Sequence, residues 1–205
     1  MPKIPQERQI VIDTEYLKLK RPDFVRAARC DLDAMISLYR SSRAAAKPEI
    51  MDGYPSFDRI EQDIEDGYLW YAREDGEIIG ACAVTPEPVF EPGWEIEELI
   101  EEVGRFPGED WFKPGEKYIS VLRQAAKPGV GPREQVIGEM TALAERLARD
   151  CGIREIRTSN HCDDIPVGRV FTSRLYKLVG ACRDNYGVRR YGFYKLMEEH
   201  EPWHR

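Results

Sequence analysis

Tyr118-Ile119-Ser120-Val121-Leu122-Arg123-Gln124-Ala125-Ala126, closed by Lys127-Pro128-Gly129, is an apolar-rich run of strand length. After Gly129-Val130-Gly131-Pro132-Arg133 the pattern turns helical. Ile137, Met140, Leu143, Ala144, Leu147, Ala148 and Cys151 recur at three- and four-residue steps, and Gly152 stands where a C-cap belongs. A strand that feeds through a short loop onto a helix leaves the first backbone N–H groups without helical partners. With the positive end of the macrodipole they form a site suited to phosphate. Arg154-Glu155-Ile156-Arg157-Thr158-Ser159 reads as the next strand. A strand–helix–strand unit of this size makes its two strands parallel, with a right-handed crossover.

Upstream, Asp23 to Ala28 reads as a first core strand, and Asp31 opens a helix with Leu32, Met35, Ile36, Leu38 and Tyr39 on one stripe. Gly53-Tyr54-Pro55-Ser56 breaks the chain before a shorter helix carrying Phe57, Ile60 and Ile64. Tyr68–Arg73 and Ile78–Val84 flank Glu74-Asp75-Gly76-Glu77, a hairpin signal. Residues 86–116 then differ in character: ten acidic side chains face Arg105 and Lys113, among five prolines, Trp94 and Trp111. We read this stretch as an insertion containing a helix over Glu95–Val103, and otherwise loop.

Downstream, residues 160–163 read as loop, His161 and Cys162 included. A helix capped at Asp164 carries Val170, Phe171, Leu175, Tyr176 and Leu178 to Gly180, and a hairpin follows over Ala181–Tyr186 and Arg189–Leu196. Residues 1–22 read as an arm or edge strand with a strand-like Gln9–Ile12, residues 23–196 as one domain, and 197–205 as a charged tail.

The 205 residues are 42% hydrophobic and 33% charged, in the range of a globular domain with a real core. No apolar run reaches membrane-spanning length, and Met1–Arg8 has no signal-peptide core. Five scattered cysteines without a CxxC pair and three histidines give a metal cluster little to build on. They fit free thiols in a reducing cytoplasm. A net charge of −7 argues against a nucleic-acid surface and leaves room for a cationic partner.

Three stretches carry a resemblance. Asp52-Gly53-Tyr54-Pro55-Ser56, Ile60 to Leu69 and Glu74 to Gly80 are similar to the second helix and first hairpin of many bacterial GCN5-related N-acetyltransferases (GNAT family). Ala125-Ala126-Lys127-Pro128 followed by Arg133-Glu134-Gln135-Val136-Ile137-Gly138 resembles that family's acetyl-CoA signature, with Val136 where the first glycine is expected. Arg174-Leu175-Tyr176-Lys177-Leu178-Val179-Gly180-Ala181 is similar to its C-terminal Leu-Tyr-x-x-x-Gly-Phe segment. The likeness covers roughly Asp23 to Leu196.

The resemblance implies an α/β (α+β) fold: a mixed, mostly antiparallel sheet with a splayed parallel pair and helices on both faces. It implies acetyl-CoA as co-substrate and no metal, with pantetheine along Gln124-Ala125-Ala126 and the pyrophosphate on Arg133, Glu134, Gln135, Val136, Ile137 and Gly138. Tyr176 falls at the family's general acid and Glu116 at a general base. The expected activity is direct acetyl transfer to a small, cationic primary amine in a ternary complex. The acids of the insertion would steer that amine in, and Trp94 and Trp111 could floor its pocket. No nucleic acid or membrane partner is expected, and a homodimer is left open. Two other readings stand beside this one: a catalytically silent module on the same fold, such as a phage particle component, and an acetyltransferase for protein N-termini or lysines.

Overall fold

The computed structural model describes residues 22–46, 55–90, 95–99, 118–184 and 187–197. Its strands are β1 (Asp23–Arg26), β2 (Leu69–Glu74), β3 (Glu77–Thr85), β4 (Glu95–Leu99), β5 (Tyr118–Ala126), β6 (Glu155–His161), β7 (Lys177–Arg183) and β8 (Arg189–Leu196). Its helices are α1 (Leu32–Ala45), α2 (Phe57–Glu65), α3 (Arg133–Asp150) and α4 (Ile165–Ser173). All eight strands join one sheet in the order β1-β2-β3-β5-β6-β8-β7-β4. Every neighbouring pair is antiparallel except β5 with β6. That is the mixed sheet expected from the sequence.

Local chemistry accounts for the elements. Ser56 caps α2 by accepting the Arg59 N–H at 3.2 Å. Asp75 and Gly76 take φ of 48° and 85°, the paired left-handed conformations of a tight hairpin turn. α3 and α4 pack on one face of the sheet, where Ile137, Met140, Ala144 and Phe171 meet Val84, Val121, Ile156 and Phe193. α1 and α2 cover the other face over β2 and β3, through Met35, Tyr39, Ile60 and Leu69.

The sheet corrects two expectations. Glu95–Leu99 is strand, not the start of a helix, and it pairs with β7 from Glu95↔Arg183 to Leu99↔Gly180. The counter-charges explain the choice: Glu97 takes ion pairs from Arg183 and from Arg189, the latter at 3.0 Å. A docked strand with both partners outweighs a weak local helix preference. Second, the last helix stops at Ser173. Leu175 adopts φ of 67°, and Lys177 already belongs to β7, so Tyr176 and Leu178 are not helical.

The insertion starts by crossing the sheet on the α1/α2 side. Ser120 Oγ donates to the Glu87 carbonyl at 2.6 Å, and Val89 and Phe90 bury against Leu122, Val179, Cys182 and Tyr194. Gln9–Ile12, Trp94, Trp111, Glu116 and both termini lie outside the described residues.

Candidate active site

β5 and β6 begin as a regular parallel pair, Tyr118↔Glu155 through Val121↔Thr158, and there the ladder ends. Beyond it β5 stays on β3 to Ala126↔Gly80, and β6 stays on β8 to His161↔Arg190. Each strand follows its outer neighbour, so a gap opens between them. A bulge fixes the divergence: between Ala83↔Leu122 and Ala81↔Ala125, one residue of β3 faces both Arg123 and Gln124. Arg123 sits at φ of 51°, a conformation costly for a side-chain-bearing residue unless its surroundings hold it. They do. Tyr39 Oη donates to the Arg123 carbonyl, and the Arg123 guanidinium grips Asp63.

Strand alternation assigns the walls. Ile119, Val121, Ile156 and Phe193 pack under α3 and α4, so Thr158 and Asn160 turn to that face and Ser159 and His161 to the opposite one. A cavity of about 60 Å³ lies in the gap. On the α3/α4 side it is lined by Gln124, Arg133, Ile137, Asn160, Asp164 and Val167. On the other side it is lined by Pro55, Leu122, Arg123, Ser159, His161 and Arg190. The gap thus joins two compartments through the sheet.

The first compartment is bounded by a glycine-containing loop, the start of α3 and two side-chain amides. Gly129 and Gly131, at φ of 83° and 134°, turn the loop that leads onto α3. The N–H groups of Arg133 and Glu134 have no backbone partner among the described residues, as at any helix start. Gln124 Nε2 donates to Thr158 Oγ1 at 3.3 Å and Asn160 Nδ2 to the Asp164 carbonyl at 3.0 Å. Those bonds fix both amides with Gln124 Oε1 and Asn160 Oδ1 buried and without a partner among the described residues, one from each parted strand. Ala125 turns its carbonyl toward Gly80, so alternation turns the Ala126 N–H to the gap.

Val136 does not fill the loop. Its side chain is buried on the sheet side of α3, and a Cβ placed on Gly80 would overlap its Cγ1. Gly80 supplies the room that Val136 takes. Gly138, in turn, brings α4 close, since its missing Cβ would rest 3.6 Å from Val170 Cγ1. Arg133 points across to α4, where its Nη1 meets Asp164 Oδ2 at 2.6 Å.

Of the two expected acid–base residues, Glu116 is outside the described residues, and the structure does not bring Tyr176 to the gap. The Tyr176 ring stacks 5.9 Å from Phe171 with Lys195 Nζ 5.6 Å over it. Lys195 is in register with Ile156, where β5 and β6 are still paired. Burial, reinforced by the Glu145 carboxylate, pushes the phenol well above its ordinary pKa. Its hydroxyl has no hydrogen-bond partner among the described residues. His161, read as loop, is instead the last residue of β6 and part of the wall. The polar alternation Ser159-Asn160-His161 directly after an apolar strand was the signal available for it.

Charge on the second compartment is largely internal. Burial raises Asp63 despite the opposing pull of Arg123 and Arg59. Burial also works to raise Glu87, but hydrogen bonds from Arg59 and the charge of Arg123 outweigh it and leave the carboxyl low. No group of three metal-ligating side chains occurs among the described residues.

No protein-family model and no curated protein matches the sequence. Solved structures do. A GNAT-family acetyltransferase from Streptococcus agalactiae matches with a TM-score of 0.61 at 21% identity, over 86% of this chain and 96% of that one. A putative acetyltransferase from Salmonella typhimurium, solved with acetyl-CoA, matches with a TM-score of 0.60 at 11% identity, over 88% and 96%. The ribosomal-protein-S18-alanine N-acetyltransferase of Escherichia coli gives 0.59 at 8%, over 88% and 96%. Eight strands in one mostly antiparallel sheet, one parallel pair that parts, and four helices on its two faces are the fold of the GCN5-related N-acetyltransferases.

Proposed function

We propose that the protein transfers an acetyl group from acetyl-CoA to a primary amine by direct attack in a ternary complex. The observation that carries this reading is the parting of β5 and β6 beyond Val121–Thr158, with Gln124 Oε1 and Asn160 Oδ1 left without donors on the two walls. Those oxygens would accept the N–H groups of a carrier threaded between the strands. The first amides of α3 and the Arg133 guanidinium would hold its diphosphate.

When bound, acetyl-CoA supplies an acyl carbon activated as a thioester. The chain's part is placement and electrostatics. The Ala126 N–H, facing the gap, would hold the carbonyl oxygen as it gains negative charge. The amine enters from the Pro55–His161 side, its nitrogen bonds to the acyl carbon, and the carbon–sulfur bond breaks. The proton that nitrogen releases balances the one the thiolate takes up, leaving an amide and free CoA.

Calorimetric titration with acetyl-CoA tests this directly. Micromolar binding, lost in Arg133→Glu, supports it; absence of binding at millimolar acetyl-CoA defeats it. The Arg133–Asp164 ion pair favours a second reading, a module silent toward CoA, because it commits the phosphate-facing guanidinium to a carboxylate. The same titration decides between them.

A further inference from the structure

The two wall amides differ in what holds them. Asn160 Nδ2 donates to the Asp164 carbonyl at 3.0 Å, beside Gly168, where an added Cβ would come within 3.4 Å of that nitrogen. A carbonyl only accepts, so this contact alone decides which end of the Asn160 amide is turned away from α4. Asn160 is 7% exposed, and the end turned away is Oδ1.

Gln124 Nε2 meets a hydroxyl instead, Thr158 Oγ1 at 3.3 Å. A hydroxyl can donate or accept, so by itself this contact leaves both orientations of the amide open. Thr158 Oγ1 also lies 2.8 Å from the Val121 carbonyl and gives its one hydrogen there. With that hydrogen committed, Oγ1 can only accept from Gln124. A Gln124 amide turned the other way would set two acceptors against each other. The nitrogen therefore faces Thr158, and Oε1 faces away, buried and without a partner among the described residues. Val121↔Thr158 is also the last rung of the parallel ladder. One wholly buried threonine thus closes the paired part of the two strands and orients an acceptor in the part that opens. A threonine serving the fold alone needs only its bond to Val121. The bond to Gln124 adds a buried acceptor that a donor from outside the chain would satisfy.

We propose that Thr158 is a positioning residue for the carrier: its hydroxyl, committed to Val121, holds Gln124 so that Oε1 accepts an amide N–H of the pantetheine arm of acetyl-CoA, while Asn160 Oδ1 faces the same arm from the other strand. The inference rests on the acetyl-transfer reading above and adds to it a residue that touches no ligand.

The experiment is calorimetric titration of acetyl-CoA into the parent, Thr158→Val, Gln124→Leu and the double variant. Valine keeps the shape of threonine and removes the hydroxyl. Each single substitution is expected to raise Kd about fivefold, the scale of one neutral hydrogen bond. The double variant is expected to match Gln124→Leu, because Thr158 acts only through the amide that leucine lacks. Thr158→Ser restores the hydroxyl and should bind within about twofold of the parent. Should Thr158→Val fail to fold, Thr158→Ala takes its place in the cycle, and an unchanged Kd in Gln124→Leu overturns the inference by itself. Losses that multiply in the double variant, or a serine variant as weak as the valine one, overturn it too. Acetyl-CoA binding by the parent separates the levels. Without it at millimolar cofactor the transferase reading falls as well, whereas binding that Thr158→Val leaves unchanged removes only the role of Thr158.

Discussion

Arg123 donates through Nε and Nη2 to the two carboxylate oxygens of Asp63, at 2.5 and 2.8 Å, in a place where neither side chain is more than 3% exposed. The pair ties α2 to the bulge of β5, which is the residue pair at which the parallel strands part. Burying two charges is expensive, and their mutual attraction roughly offsets the cost. Losing one partner leaves the other stranded.

Asp63→Leu and Arg123→Met should therefore each lower unfolding free energy by about 3–5 kcal/mol, whereas the double variant Asp63→Leu/Arg123→Met should recover much of that loss. Urea denaturation of the four proteins measures it. In the folded double variant acetyl-CoA binding should still weaken, because the apolar pair no longer anchors the left-handed Arg123 position. Additive losses in stability would show that the two side chains do not act as a pair.

Val136 and Gly80 form the second dependent pair. Restoring the signature glycine by Val136→Gly empties the space beside Gly80 and puts glycine inside α3. The expected cost is about 2–4 kcal/mol, from lost apolar burial, a residual cavity and helix entropy. Acetyl-CoA affinity should not improve, since the valine side chain packs on the sheet at Gly80 and not into the loop before α3. Gly80→Ala should destabilise too, its Cβ meeting Val136 Cγ1 and the Ala125 carbonyl. Thermal denaturation with parallel calorimetry checks both, and tighter cofactor binding by Val136→Gly would contradict the packing argument.

Under the proposed function, Asp164 bears on acetyl-CoA binding through Arg133. Its carboxylate is 6% exposed and meets Arg133, the first residue of α3, at 2.6 Å. Asp164→Asn removes that negative charge and frees the guanidinium, so acetyl-CoA should bind more tightly, by up to about tenfold at low salt, with the gain shrinking as salt rises. The stability lost with the ion pair should be about 1 kcal/mol or less, as Arg133 is 37% exposed. Unchanged or weaker affinity in calorimetry would mean that Arg133 does not meet the phosphates.

The parts of this molecule that periodicity or turn chemistry controls were legible beforehand. The α3 stripe, the Asp75-Gly76 hairpin and the β5–α3–β6 crossover each depend on residues close in sequence. β4 was not legible, because Glu95-Ile96-Glu97-Glu98 has no strong preference of its own and becomes a strand only against Arg183 and Arg189. The bulge at Arg123 was hidden for the same reason: Asp63, sixty positions earlier, is what stabilises it. Val136 was legible as a departure but not in its consequence, which depends on Gly80 across the sheet. Tyr176 carries the family motif in sequence, yet α4 starts only four residues after β6 ends, and the phenol falls a full turn of chain beyond the helix.

Tyr176 yields the last prediction. Its phenol is 3% exposed, has no hydrogen-bond partner among the described residues, and burial beside Glu145 raises its pKa above the unfolded value. For a group raised in the folded state, the stabilising difference is complete below the unfolded pKa, near 10, and is lost as pH climbs above it. At one unit above that value the loss is about 1.4 kcal/mol, because the unfolded chain ionises its tyrosine and the folded chain does not. Tyr176→Phe should therefore match or slightly exceed the parent at pH 8, having no buried hydroxyl to leave unsatisfied, and should lose less stability between pH 9 and pH 11. Urea midpoints across that range give the comparison. Because the ring lies where β5 and β6 are still paired, acetyl transfer by Tyr176→Phe should keep its kcat within about twofold, against a loss of 10²-fold or more for a true general acid. A collapse of kcat with acetyl-CoA affinity intact would bring the phenol into the gap during turnover and require β7 or α4 to move.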